Sequence, residues 1–183
     1  MRAVLKLGGL AAFSGFAALL HHGHIQQFIL LVNHLLTGLL PKRLPKPERH
    51  VEPSLLQVSF GEPSTHYEVW VQRKARAIEI GLHFEGMRED NRRCAEALAE
   101  RALELQAQLG PDAEIEEWTR SWTRLHESWP IEGPDWSPKR DLTPELAQRV
   151  AERLARYIEV LEPVVKAIAP PAAGQGTTSK KKR

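Results

Sequence analysis

Two alternating segments of the chain carry side chains that could do chemistry. His66 and Glu68 fall in residues 65–73, and His83 and Glu85 fall in residues 76–85. Because successive side chains of a β-strand point to opposite faces, residues two apart share a face. Imidazole and carboxylate groups ligate zinc and act in general acid–base catalysis. We therefore treat His66 and His83 as candidate metal ligands, and Glu68 and Glu85 as candidate catalytic residues.

These two segments are predicted to pair as a hairpin around a two-residue turn at 74–75. This register puts every apolar side chain on one face, and a shift by one residue would destroy the match. It places His66 opposite His83 and Glu68 opposite Gly81. Two interpretations of the polar face are open. It could hold a divalent metal in a hydrolase or nuclease-related protein, or it could be the solvated or partner-facing side of a one-sided sheet.

A second pattern is rich in aromatic and guanidinium groups: Trp118, Arg120, Trp122 and Arg124 alternate. Such a strip could stack bases or bind a protein surface. Residues 51–169 hold 15 basic and 22 acidic side chains, a net charge of −7. They lack the clustered positive charge that nucleic-acid binding requires. We therefore expect a protein partner or self-association through these four residues rather than nucleic acid.

The elements that position these residues predict an α+β fold. A short strand at 55–60 precedes the hairpin, and apolar spacing predicts helices over 89–109 and from Pro144, with Thr143 as N-cap. Pro163 should kink or end the last helix. Residues 115–129 fit a helix or a strand, and their Thr and Trp content favours the strand. The order β-β-β-α-β-α predicts an antiparallel sheet of about four strands with two long helices on one face.

Composition divides the chain into four parts. Residues 1–40 form an apolar leader or helical segment, 41–53 a proline-rich basic linker, 54–169 the α+β domain, and 170–183 a disordered basic tail. The apolar run 7–20 is too short to span a membrane and resembles the hydrophobic part of a signal peptide. Residues 25–40 have helical spacing, and predict an amphipathic helix on a membrane or against the domain.

Missing motifs narrow the function. The single Cys94 excludes an internal disulfide, and the chain lacks a phosphate-binding Gly-rich loop, a Gly-x-Ser-x-Gly elbow and a His-Glu-x-x-His helix. The sequence therefore favours a non-catalytic interaction or structural module that binds no cofactor. Homodimer formation is one form that this interaction could take. The metal-dependent hydrolase stays open as an alternative. The domain itself is expected in the cytoplasm; with residues 7–40 as an anchor, the chain would be a membrane-tethered or exported accessory protein.

Several segments together carry a resemblance. They are the run His66-Tyr-Glu-Val-Trp-Val, the run Ile78-Glu-Ile-Gly-Leu-His-Phe-Glu, Asn91 opening a long helix, a Trp-rich segment, and a last helix ending Leu161-Glu-Pro163. This pattern resembles small prokaryotic α+β domains of unknown function, some of which occur beside restriction-type nucleases. The resemblance implies the α+β fold and a setting in DNA defence or genome maintenance. It carries over no catalytic motif.

Overall fold

Six strands form one antiparallel sheet in the order β1-β2-β3-β4-β6-β5. The computed structural model describes residues 23–168 apart from 132 and 134, and within these residues five helices accompany the sheet. The α+β class is confirmed, but the expected four strands are too few. The elements in chain order are α1 (His24–Leu39), β1 (Glu48–Glu52), β2 (Leu55–Ser59), β3 (Thr65–Gln72), β4 (Ala77–Phe84), α2 (Arg88–Ala99), α3 (Ala102–Leu109), β5 (Glu114–Glu117), β6 (Thr123–Pro130), α4 (Pro138–Asp141) and α5 (Pro144–Ile168).

The hydrophobic core lies between one face of the sheet and the helices. The long helix α5 contacts β3 and β4, and Val150, Leu154 and Ile158 on its apolar stripe are fully buried. Thr143 caps this helix as predicted, since its Oγ1 accepts a hydrogen bond of 3.2 Å from the backbone N–H of Leu146. The helix continues past Pro163 to Ile168, so this proline does not end it.

Helix α1 and strand β1 belong to the folded unit. Phe28, Ile29, Val32 and Leu36 are at most 3% exposed, and α1 packs on α5. Residues 25–40 therefore lie against the domain, and do not form a segment apart from it. Residues 48–52 pair with β2, so their assignment to a linker is wrong. The prolines at 41, 45, 47 and 53 flank this edge strand rather than interrupt it.

Arg49 ties β1 to α1 through hydrogen bonds from Nη1 to the carbonyl oxygen and the Oδ1 of Asn33, at 2.9 and 2.8 Å. Within the described part of the chain, no helix combines the length and the apolar composition needed to cross a bilayer. The predictions made for residues 1–22 and for the tail 170–183 lie outside the described residues.

Two predicted elements are each divided in the structure. The helix expected over 89–109 is interrupted at Arg101, whose backbone leaves the helical region with φ −107° and ψ 12°. The strand expected over 115–129 is two strands, β5 and β6, joined by a turn at 118–122. Thr119 closes this turn, because its Oγ1 accepts hydrogen bonds from the backbone N–H groups of Ser121 (3.2 Å) and Trp122 (2.9 Å).

The register of the β3–β4 hairpin is confirmed. His66 pairs with His83, Glu68 with Gly81, and the apolar pairs fall on the core face as expected. Strand β6 adds to the free side of β4 and places Arg124 opposite His83. The polar residues of four neighbouring strands therefore meet on the outer face of the sheet.

Candidate functional site

The outer face of the sheet holds a polar cluster that is buried rather than solvated. His66 is 4% exposed, Glu68 5% and His83 1%, so the expectation of a solvated face is wrong for these side chains. Trp118, from the turn at 118–122, packs against His83. The centroid of its ring is 5.8 Å from that of His83 and 6.2 Å from that of Trp70. This aromatic cover contributes to the burial of His83.

His66 is held with one ring nitrogen available as an acceptor. Its Nδ1 lies 2.8 Å from the carbonyl oxygen of Pro63, and a carbonyl can only accept, so Nδ1 carries the proton. Nε2 then receives a hydrogen bond from the amide nitrogen of Gln57 at 3.0 Å. The same amide donates to Glu68 Oε2 at 3.0 Å, and that oxygen is 3.4 Å from His66 Nε2.

His83 lies at the centre of the cluster and stacks on His66, with ring centroids 5.7 Å apart and an interplanar angle of 22°. Its Nε2 is 3.3 Å from Glu79 Oε1 and its Nδ1 is 3.8 Å from Glu85 Oε1. Neither contact has hydrogen-bond geometry, and both nitrogens lack a hydrogen-bond partner among the described residues. Burial lowers the pKa of His83, but the carboxylates of Glu79, Glu85 and Glu68 outweigh it and raise the pKa to about 9.

Arg124 links the cluster to the edge of the sheet. Its Nη1 donates to Glu79 Oε1 at 2.6 Å, and its Nε and Nη2 donate to Glu116 Oε2 at 2.9 and 2.6 Å. Burial raises the pKa of Glu79, but the interactions with His83 and Arg124 lower it by a larger amount, so the net shift is downward. The carboxylates of Glu68, Glu79, Glu85 and Glu116 outnumber the Arg124 guanidinium and the protonated His83 imidazole, so the face carries an excess of negative charge.

The four residues predicted as an interaction strip do not share one face. Arg124 is part of the buried ion pairs, and its guanidinium lies 5.0 Å from the centroid of the Trp118 ring that covers the cluster. Arg120 and Trp122 lie in the turn, and both are exposed to solvent, Trp122 by 37%. The turn at 118–122 separates the strip into a buried half and a surface half.

Sequence reasoning missed two members of the cluster, Gln57 and Glu79. Glu79 is on the same face as His83 by strand alternation, where it pairs with Trp70. Gln57 pairs with Glu68 across β2 and β3. Extending the pairing from the hairpin to β2 would have found it.

A further buried carboxylate, Glu127, is directed into the core and has a full set of partners. Arg153 Nε donates to its Oε1 at 2.7 Å, Trp129 Nε1 to the same oxygen at 2.7 Å, and the Tyr157 hydroxyl to Oε2 at 3.2 Å. Since its lone pairs are satisfied by the protein, this network joins α5 to β6 and serves the fold.

The outer-face cluster brings together side chains of the types that bind metal ions. Within the described residues, His66, Glu68 and His83 each offer one ligand atom, and these three atoms lie within 4.8 Å of one another. The Glu85 carboxylate, 23% exposed, stands at the rim beside His83. The same groups could in principle act as acid and base, but a substrate would have to displace Trp118 to reach them.

Fold and site together define an α+β protein whose antiparallel sheet buries a histidine–carboxylate cluster on the face away from its helices. Comparison with models of protein families, with curated proteins and with solved structures finds no match to this chain. The resemblance to small prokaryotic α+β domains stays a prediction from the sequence.

Proposed function

We propose that this protein is a non-catalytic interaction module that associates with a second copy of itself. The proposed surface, here called the turn surface, consists of the turn at 118–122 and the first residues of α2. The observation that carries the proposal is that two exposed apolar side chains are sequence neighbours of residues that line a cleft of about 310 Å³, whose charged lining includes Arg88, Arg92 and Arg120. Met87, next to Arg88, is 76% exposed, and Trp122 is 37% exposed.

Burial of the candidate catalytic groups supports a non-catalytic role. Three of the four candidate side chains, His66, Glu68 and His83, are between 1 and 5% exposed, and only Glu85, at the rim, reaches 23%. Catalysis requires a reacting group within hydrogen-bond reach of the substrate. A hydrolase using this face would need the Trp118 cover to move away, so the metal-dependent hydrolase receives less support.

Charge complementarity supports a second copy as the partner. Arg88 and Arg120 line the cleft and form no ion pair with other described residues. The adjoining edge strand β5 presents Glu114 and Glu117, both exposed and neither in an ion pair with another described residue. A two-fold interface places the same patch on both partners, so that arginines of one copy can face glutamates of the other. Aromatic residues and arginine are the side chains enriched in such contacts.

Sedimentation velocity of the full-length chain over a range of concentrations tests this proposal. We expect reversible association that weakens with added salt, since exposed charges are screened. The double variant Arg120→Glu/Trp122→Ala should sediment as a monomer. Leu103→Ala, which removes a side chain that is 86% exposed on α3, is the matched control and should associate like the wild type.

Two outcomes would contradict the proposal. The wild-type chain could remain monomeric at every concentration, or the double variant could associate as strongly as the wild type. In either case the turn surface does not mediate self-association.

A further inference from the structure

The buried polar face leaves its central histidine without hydrogen-bond partners. His83 is 1% exposed, and neither of its ring nitrogens makes a hydrogen bond to any described residue. Buried polar atoms in native proteins nearly always have a partner. The side chains nearest to these nitrogens are carboxylates, and the whole face carries an excess of negative charge. A metal cation that displaces a ring proton, accepts the nitrogen lone pair and adds positive charge would satisfy both features.

The ligand atoms are already close to the geometry of a tetrahedral metal site. Zinc binds histidine nitrogen at about 2.0–2.1 Å and carboxylate oxygen at about 2.0–2.2 Å, so two ligand atoms of a tetrahedron are about 3.4 Å apart. His66 Nε2 and Glu68 Oε2 are separated by 3.4 Å. One ligand atom from each of His66, Glu68 and His83 lies within 4.8 Å of the other two. A small rotation of the His83 side chain would complete a set of three.

His66 has the second hydrogen bond that metal-binding histidines usually have. Its Nδ1–H donates to the Pro63 carbonyl at 2.8 Å, which fixes the tautomer, orients the ring and leaves the Nε2 lone pair for a ligand. The amide of Gln57 donates to this lone pair and to Glu68 Oε2, both at 3.0 Å. The two N–H groups of the Gln57 amide therefore bind the same two atoms, His66 Nε2 and Glu68 Oε2, that a metal cation would bind.

We propose that His66, Glu68 and His83 bind one divalent transition-metal ion, and that Glu85 supplies the fourth ligand. Two imidazoles and two carboxylates suit zinc, and a closed four-ligand set is typical of structural rather than catalytic zinc. Glu85 Oε1 is 3.8 Å from His83 Nδ1, and Glu85, unlike Glu79, is not already held by a hydrogen bond from Arg124. This site goes beyond the proposed self-association and does not depend on it.

Metal content and metal binding of the full-length chain test the proposal. We expect near-stoichiometric zinc by elemental mass spectrometry after purification without chelator. After stripping, we expect the apoprotein to take up Co²⁺ with the visible spectrum of a tetrahedral complex. His66→Gln and His83→Gln should each weaken binding by about 100-fold or more, since losing a residue that only hydrogen-bonds to a metal ligand already costs about 10–100-fold. Gln57→Ala should strengthen binding, because it removes the amide that competes for the ligands.

His126→Gln is the matched control. His126 lies on the same face and is 12% exposed at its side chain, but is not one of the three clustered ligands. It should retain the metal and the cobalt spectrum. Circular dichroism of each apoprotein separates loss of a ligand from loss of the fold. The proposal is overturned if folded His66→Gln and His83→Gln variants bind zinc as tightly as the wild type, or if the folded wild-type apoprotein binds neither zinc nor cobalt.

Discussion

Replacing Gly81 with alanine tests the strand register that brings the polar side chains together. A Cβ at this position would lie 2.6 Å from His126 Cβ, 2.7 Å from the Leu125 carbonyl oxygen and 2.9 Å from His126 Cα. Two of these three atoms are backbone, so no side-chain rotation relieves the contact, and β4 and β6 must move apart. Overpacking of this kind costs about 3 kcal/mol.

A gain in the unfolded state offsets part of this cost. Alanine reduces the conformational freedom of the unfolded chain relative to glycine, which stabilises a protein by about 0.4–1 kcal/mol. The net loss for Gly81→Ala is therefore about 2 kcal/mol. For a chain of this length, that corresponds to a fall in Tm of about 4–8 °C. Urea unfolding followed by circular dichroism measures it directly, provided that the slope with denaturant is unchanged.

Gly61→Ala is the control for this prediction. Nothing lies within 4 Å of a Cβ built at Gly61, so alanine there should change stability by less than about 0.5 kcal/mol or raise it slightly. If Gly81→Ala is no less stable than Gly61→Ala, then β6 does not approach β4 as described. The placement of Arg124 and His126 on the polar face would then be wrong as well.

Three further predictions concern stability. Arg124→Ala leaves Glu79 buried without its guanidinium partner and should lower the unfolding free energy by about 3–5 kcal/mol. Glu116→Ala removes a carboxylate that is 47% exposed and should lower it by less than about 1 kcal/mol. Equal losses of unfolding free energy in urea would contradict this prediction. Gly38→Ala fills open space in α1 and should raise the unfolding free energy by up to about 1 kcal/mol, while an unchanged midpoint would show that α1 does not unfold with the domain. In chelator-treated protein, the pKa of His83 is raised to about 9, so the stability it gains from its carboxylates is complete below about pH 6.5 and is lost as the pH rises through 9. His83→Gln should flatten this dependence of the unfolding free energy on pH. If the wild type and the variant show the same slope against pH, another group causes the dependence.

The β3–β4 hairpin could be predicted because its pattern permits only one register. Both strands alternate over eight residues, and a single pairing puts Val69 and Ile80 on the same face. Strand β1 has no such pattern, since Val51 is its one apolar residue. Its strand conformation comes from backbone pairing with β2, which a local pattern does not reveal. The helical spacing of α1 was visible, but its contact with α5 joins segments more than a hundred residues apart.

The members of the candidate site could be predicted in part, but their burial could not. Alternation places His66, Glu68 and His83 on the side away from the core, and a one-sided sheet normally exposes that side to water. Trp118 covers His83 because the chain turns at 118–122. The alternation of Trp118, Arg120 and Trp122 predicts a continuous strand there instead of a turn. The Thr119 hydroxyl, which can accept backbone hydrogen bonds two and three residues ahead, is the local signal for the turn.

The same turn connects the two proposals, and this leads to a last prediction. Trp118 packs on the His83 ring, and Trp122, on the turn surface, tilts against Trp118 with ring centroids 5.9 Å apart. A metal ion bound to His83 would fix the imidazole ring against which Trp118 of the turn packs. Removing zinc should therefore weaken self-association, because an interface must then order a looser turn. Sedimentation velocity with and without chelator measures the effect, and His126→Gln should respond like the wild type. If stripping zinc from the wild type leaves association unchanged, the aromatic contacts alone position the turn.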